Sequence, residues 1–358
     1  MKKSALTIFG AGADTKSKFC FWQNDVIKCS KEFGNLAFSE NCANYQKAIK
    51  QYNCKFDIVA FDLHPDYYSS RHAKTLKSAR YLAVQHHYAH IAAVLMGQKI
   101  EKPVIGVAFD GTGYGNDGAV WGGEFFHVHK GKFERIAHFK YLNMFGGEQA
   151  IINPMRMGFS LLYSVYGEEA VRKKIGLVPG RQESYKIFTK MAQNKINSPL
   201  TSSVGRIFDG IASLLGVSQK VEQEAEAAIA LEQLASRSSE KSAYEFELNA
   251  SHRPYVFTYG ALVSEILHDL KQKTCREDMA KKFHNGLANA IARMVSIIKK
   301  EYAVSDVVLA GGVFLNEVLL ETTQKKLVEA GCNLLYNNGT AVGDASIGLG
   351  QIYAAIYS

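Results

Sequence analysis

The chain has 358 residues, 47% apolar and 21% charged, with a formal net charge of +8. That composition excludes a disordered or fibrous chain and allows two lobes with cores of ordinary size. A plain basic surface is the first account of that charge, and an anionic ligand or partner, such as a nucleotide or phosphate, the sharper one. The basic residues are scattered, which argues against nucleic acid.

The longest uncharged run, between Arg80 and Lys99, holds three histidines and two glutamines, which argues against a membrane span. Cys20, Cys29, Cys42, Cys54, Cys275 and Cys332 form no C-x-x-C pair. A zinc ribbon is therefore not expected, and the wide spacing predicts reduced thiols in a cytoplasmic protein.

In chain order, Leu6 to Phe9 reads as a strand and Gly10 to Asp14 as a turn. Strands follow over Lys18–Gln23 and Val26–Cys29, then a helix over Asn44–Tyr52. The almost wholly apolar Phe56–Phe61 predicts a strand covered on both faces. Ser69–Ser78 reads as helix, Tyr81–Val84 as strand, and a helix opens at His86. The pattern then recurs: strand Val104–Phe109, a Gly/Asp turn from Asp110 to Gly118, and strands Val120–His129 and Phe133–Phe139. Twofold use of one unit predicts a duplicated α/β lobe with a cleft between the copies.

The second half is more helical. Helices are expected over 154–166, 206–215, 222–235, 261–271, 283–301 and 316–329, with an insertion over 167–200 and an irregular stretch at 249–259. Strands fall at 306–309 and 334–336, and Gly343-Asp344-Ala345-Ser346 opens the last helix. The expected organisation is a first lobe over 1–100, completed by a C-terminal helix over 344–358, and a second lobe over 101–343 with helical insertions.

His86 and His90 stand one helical turn apart on one face. Spacing alone leaves two readings level: a metal pair completed by Asp110 and Asp344, or hydrogen-bonded core histidines. His87 faces elsewhere and reads as structural. Three glycine-rich elements, Gly10–Asp14, Asp110–Gly115 and Gly311-Gly312, have the layout of phosphate contacts in an actin-like cleft, and none is a Walker A motif. His64 follows a buried strand, where α/β proteins place ligand groups. Asp66 reads as the cap of the next helix. Lys16 is either an anion contact or surface charge.

The segments GAGADTKSKFCF, DLHPDYYSS, VQHHYAH, VIGVAFDGTGYGNDGAVWGGEF, INPMRM, SSVGRIFDGIASLLG, FHNGLA, LAGGVFLNEVLLE and DASIGLGQ run through nearly the whole chain. In order and content they resemble the carbamoyltransferase domain of the hydrogenase maturation protein HypF. The resemblance implies duplicated RNase H-like lobes of the actin-like ATPase superfamily. It implies carbamoyl transfer from carbamoyl-adenylate, itself made from ATP, to the C-terminal cysteine thiol of a HypE-like acceptor. Iron or zinc would be held by His86, His90, Asp110 and Asp344. The nucleotide would meet Gly111, Thr112, Gly113, Tyr114, Gly311, Gly312 and Asn316, with His64 and Lys16 as catalytic candidates.

The matching segments contain no carbamoyl-adenylate-forming region, so a YrdC-like protein is expected in trans. Where the family has Glu-Gly-Gln, this chain has Glu224-Ala225-Glu226, and where the family has Asn-Asp-Gly-Gly it has Gly343-Asp344-Ala345-Ser346. These departures imply altered substrate use. They also keep in view a non-catalytic protein that binds a nucleotide or a partner, and a carbamoyltransferase for another small acceptor.

Overall fold

The computed structural model describes residues 6–52, 55–174, 182–336 and 343–358. The first unit runs β1 (Thr7–Gly10), β2 (Cys20–Gln23), β3 (Val26–Cys29), α1 (Ser39–Ile49), β4 (Phe56–Asp62), α2 (Tyr68–Ala73), β5 (Ser78–Val84) and α3 (His86–Gln98). Its sheet has the order β3-β2-β1-β4-β5. β1, β2 and β3 are antiparallel, and β1, β4 and β5 are parallel.

The second unit begins with β6 (Val104–Tyr114), β7 (Val120–His129) and β8 (Lys132–Phe139). An excursion follows: β9 (Leu142–Asn143), α4 (Gln149–Ile152), α5 (Met155–Lys174), α6 (Gln182–Asn194), β10 (Leu200–Thr201), α7 (Val204–Leu214), α8 (Glu226–Ala235), β11 (Glu247–Asn249), β12 (Tyr255–Thr258), α9 (Gly260–Gln272) and α10 (Arg276–Tyr302). The unit closes with β13 (Asp306–Ala310), α11 (Glu317–Glu329), β14 (Asn333–Leu335) and α12 (Ile347–Ile356). Within its larger sheet lies the order β8-β7-β6-β13-β14, with the same antiparallel and parallel relations as in the first unit. The order 3-2-1-4-5 thus occurs twice, which makes the chain a duplicated RNase H-like fold.

The helices that follow the fifth strand of each unit cross over. α3 packs on β6, β7 and β13 of the second sheet, whereas α12 packs on β1, β2 and β4 of the first, and the two helices pack on each other. One core therefore joins the lobes, from Ile8 and Ile58 through Ile352 and Ile91 to Val104 and Phe126. Small residues permit this. A Cβ on Gly350 would stand 1.9 Å from the Ala89 carbonyl oxygen, and one on Gly10 would stand 2.3 Å from that of Gly348. β4 is apolar because α12 covers one face, while Phe9, Phe56 and Val59 join a second core with α1 residues Tyr45 and Ile49 on the other.

Several local expectations change. α2 ends at Ala73 rather than near Ser78, because residues from Ser78 onward pair with β4 and lengthen β5. The stretch at 249–259 is not irregular: β11 and β12 pair antiparallel, and β12 joins β8. α10 begins before Phe283, at Arg276, with Glu277 and Asp278 in its positive first turn. Cys20 and Cys29 are not reduced thiols. The β2–β3 register sets them opposite each other, and they form a disulfide. Of the expected insertion at 167–200, residues 175–181 lie outside the described residues, as does Cys54. Among the described residues, no helix is long and apolar enough to cross a membrane.

Candidate metal centre between the lobes

α3 starts where β5 ends, with the Gln85 side chain accepting from the Tyr88 N–H as its N-cap. That start fixes the phase of the helix and turns His86 and His90 to one side. Asp110 lies within the long strand β6, and Asp344 lies in the 3-10 turn that leads into α12. The four side chains meet: one ligand atom from each lies within 4.8 Å of the others. His90 Nε2 is 2.8 Å from Asp110 Oδ2 and 3.5 Å from Asp344 Oδ1. His86 Nε2 is 3.7 Å and 3.5 Å from the same two oxygens.

His86 Nε2, His90 Nε2 and Asp110 Oδ2 are buried, yet none has a hydrogen-bond partner. Proximity without hydrogen-bond geometry is what a shared cation would require, since each atom then aims at a common point. Two nitrogens and two carboxylate oxygens suit zinc or iron. Burial alone would raise the carboxyls of Asp110 and Asp344; the His86 and His90 imidazoles outweigh it and hold both well below the usual range. Burial alone would lower His86; Asp62 first, then Asp110 and Asp344, hold it well above its ordinary value.

Each aspartate is held by further contacts. Asp110 Oδ1 accepts the N–H of Gly111 at 2.8 Å and of Gly312 at 3.3 Å. The Ser203 hydroxyl, which also caps α7, donates to the carbonyls of Asp110 and Gly111 at 2.7 and 2.6 Å. Asp344 Oδ2 accepts the Thr15 hydroxyl from the loop after β1. The Ser346 hydroxyl bonds the Gly343 carbonyl and holds that turn.

Asp110 to Gly118 is not one turn. β6 continues through Tyr114 with an irregularity between Phe109 and Gly113, and the tight turn lies over Gly115–Ala119. Gly113 is small because His87 lies over it: a Cβ there would be 2.4 Å from His87 Cε1 and 3.0 Å from His86 Cδ2. Thr112 is exposed on the same strand, and the Tyr114 carbonyl accepts from Gln85. Gly311, at φ 94°, packs on the Phe109 carbonyl. Asn316 caps α11 through its oxygen and donates its amide to His284. A cavity of about 250 Å³ opens beside His90 and reaches Gly311, Phe314 and Ser346.

His64 is half-buried, stacked on Tyr67 at 4.3 Å and set edge-on to Tyr114 at 5.3 Å. Its Nδ1 accepts the Asp66 N–H. Asp66 does not cap α2; Asp14, from the loop after β1, does, accepting from Tyr68 and Ser69 at 2.7 and 2.8 Å. Lys16 is exposed with φ 45°, one residue from Thr15. Ala225 takes φ 60°, the left-handed region that suits glycine, and the Glu226 carboxylate accepts the N–H groups of Glu222 and Gln223.

One contributor was missed in the sequence. Asp62, at the end of β4, places Oδ2 2.7 Å from His86 Nδ1. Its signal was available: Val-Ala-Phe-Asp occurs at Val59–Asp62 and again at Val107–Asp110, each time at the end of an apolar strand segment.

A duplicated RNase H-like frame with a buried two-histidine, two-aspartate cluster at the junction of its lobes defines a two-lobed protein of the actin-like kind. The model of the "HypF Kae1-like domain" matches residues 3–97, and that of the "Carbamoyltransferase, Kae1-like Domain, second subdomain" matches residues 106–351. The chain belongs to the HypF carbamoyltransferase family. It is 32% identical to carbamoyltransferase HypF of Synechocystis sp., covering 99% of this chain and 48% of that protein. It is also 32% identical to a carbamoyltransferase HypF homolog of Cupriavidus necator, covering 97% of this chain and 91% of that one. Full-length HypF in a phosphate- and nucleotide-bound form superposes with a TM-score of 0.92 at 32% identity, covering 99% of this chain and 56% of that structure. HypF of T. kodakarensis gives a TM-score of 0.88 at 29% identity, covering 99% and 48%. The chain thus spans about half the length of several relatives it matches.

Proposed function

We propose that this chain transfers a carbamoyl group from carbamoyl-adenylate to a thiol, with the C-terminal cysteine of a HypE-like protein as the acceptor. The observation that carries the reading is the convergence of His86, His90, Asp110 and Asp344, with the buried ligand atoms of the first three left unpartnered. These four residues would hold zinc or iron. Such an ion, when bound, supplies Lewis-acid polarisation of the carbamoyl or phosphate oxygens. Full-length HypF, which this chain matches over 56% of that structure, is known in a phosphate- and nucleotide-bound form, and we place the nucleotide of this chain in the cleft between the lobes. There Gly111, Thr112, Gly113 and Tyr114 would face it from one side and Gly311, Gly312 and Asn316 from the other.

In the reaction the thiolate sulfur bonds to the carbamoyl carbon. The bond from that carbon to the phosphate oxygen breaks, and its electron pair leaves with AMP. His64 is assigned as the acceptor of the thiol proton, which requires its Nδ1 to release the Asp66 N–H. Lys16 is assigned to the departing phosphate. Carbamoyl-adenylate would come from a YrdC-like protein in trans.

The test is direct. The purified chain is assayed for bound transition metal and for transfer from synthetic carbamoyl-adenylate to a peptide ending in cysteine. Bound metal with thiocarbamate formed supports the reading, and neither metal nor transfer rejects it. A second reading, a non-catalytic nucleotide- or partner-binding protein, is favoured by Ala225 in a backbone conformation suited to the family's glycine. Calorimetry with AMP and with the acceptor peptide separates the two: binding without turnover selects the second.

A further inference from the structure

Asp62 has no part in the proposal above, yet it is among the most enclosed charged groups in the chain, at 1% exposure. A carboxylate buried that deeply must be met by donors on both oxygens. Oδ1 accepts the His64 N–H at 2.9 Å, and Oδ2 lies 2.7 Å from His86 Nδ1. The first contact would by itself explain an acid that merely fixes a turn. The second contact is additional and points to the cluster.

The ring chemistry gives that contact its meaning. An imidazole with its proton on Nδ1, directed at a carboxylate, has its lone pair on Nε2. For His86 that lone pair faces Asp110 Oδ2 and Asp344 Oδ1 at 3.7 and 3.5 Å. We propose that Asp62 is a positioning residue for the cation centre: it holds His86 with the proton on Nδ1 and Nε2 free to ligate, and it ties the His64 turn to that same ring. The inference rests on the reading of the four-residue cluster as a metal site.

Asparagine at position 62 cannot serve both partners. With its oxygen toward the His64 N–H, its NH2 faces His86 Nδ1, the proton moves to Nε2, and ligation is blocked. In the flipped orientation the NH2 opposes the His64 N–H and the turn loses its acceptor.

The experiment measures zinc affinity of the full chain by competition with a chromogenic chelator. D62N should bind zinc about 10–100-fold more weakly than wild type, the range for loss of an orienting partner. D57N is the control. Asp57, near the opposite end of β4, accepts the Thr7 N–H and hydroxyl at 2.8 Å each, and its substitution should leave zinc affinity unchanged. Wild type that binds no zinc overturns the cluster reading and this inference with it. Wild type that binds zinc while D62N binds equally well overturns this inference alone. Histidine nitrogen NMR of the zinc-loaded wild type tests the point without any Asp62 variant. The His86 proton should sit on Nδ1 and be shifted downfield by the carboxylate, and a proton on Nε2 overturns the proposal.

Discussion

The two copies of the strand unit carry different chemistry at the same place. Pairing of β1 with β4 sets Gly10 opposite Ala60, and pairing of β6 with β13 sets Ala108 opposite Ala310. Two residues beyond lie Gly12 in the first unit and Asp110 in the second. Each meets a polar side chain from the crossing helix packed on its own sheet. Gln351 of α12 accepts the Gly12 N–H at 2.8 Å and donates to the Gly12 carbonyl at 3.2 Å. His90 of α3 meets Asp110 at 2.8 Å with no hydrogen bond formed. One pair is closed by hydrogen bonds, and the other leaves its facing atoms without hydrogen-bond partners. Gly12 has no room for a ligand side chain: its φ is 79°, and a Cβ would lie 2.4 Å from the Lys18 carbonyl oxygen. Duplication supplied a symmetric frame, and its two halves carry different side chains at this position.

The contrast can be broken at several points. The largest effect is expected at the open pair. D110N should purify without stoichiometric transition metal, as read by plasma mass spectrometry, and one retained equivalent would remove Asp110 from the ligand set. At the closed pair, Q351A strands two backbone groups of Gly12, and each such loss costs about 1–3 kcal/mol. Its unfolding free energy in urea should fall by about 4 kcal/mol with zinc affinity retained, and a smaller fall would make the contact incidental.

His284 tests a buried histidine whose hydrogen-bond partners are both neutral. Its Nδ1 donates to the Ala280 carbonyl, its Nε2 accepts from Asn316, and burial pulls its pKa down to about 4. A folded value below the unfolded value of about 6.5 contributes stability present above pH 6.5 and lost as the pH falls toward 4. The stability difference between wild type and H284Q should therefore grow by about 3 kcal/mol from pH 4 to 6.5 and then level off. A difference independent of pH would contradict a neutral His284. The smallest effect lies in the excursion that only the second unit has: A225G should raise stability by about 1 kcal/mol in urea melts by relieving the left-handed alanine. An unchanged midpoint would mean the loop tolerates it.

Where the candidate cluster depends on spacing along one element, its members are legible in the sequence. His86 and His90 are a local pattern, and Asp110 marks the end of an apolar run. The duplication was visible because each unit starts with strand, glycine-rich segment, strand. What failed needed register. Cys20 and Cys29 look distant until the β2–β3 hairpin sets them face to face. The stretch after Asp110 looks like one turn in the sequence, but pairing with β7 carries β6 on through Tyr114, and Gly113 lets that strand pack closely on His87. Asp62 is hard to single out because its partner lies one strand and a helix away, even though its tetrapeptide repeats that of Asp110.

The crossing of α3 and α12 has a consequence for biosynthesis. Thr15 and His86 are made early, but Asp344 sits in the turn before α12, and α12 must slot between the first sheet and α3 through Gly348 and Gly350. The four-residue cluster is incomplete until the ribosome has added residue 344 and the helix behind it has docked. Until then a nascent chain has only three of the four groups. A ligand that needs all four groups could therefore be held only after α12 docks, and chains stalled in the excursion between β8 and β13 would lack the complete cluster.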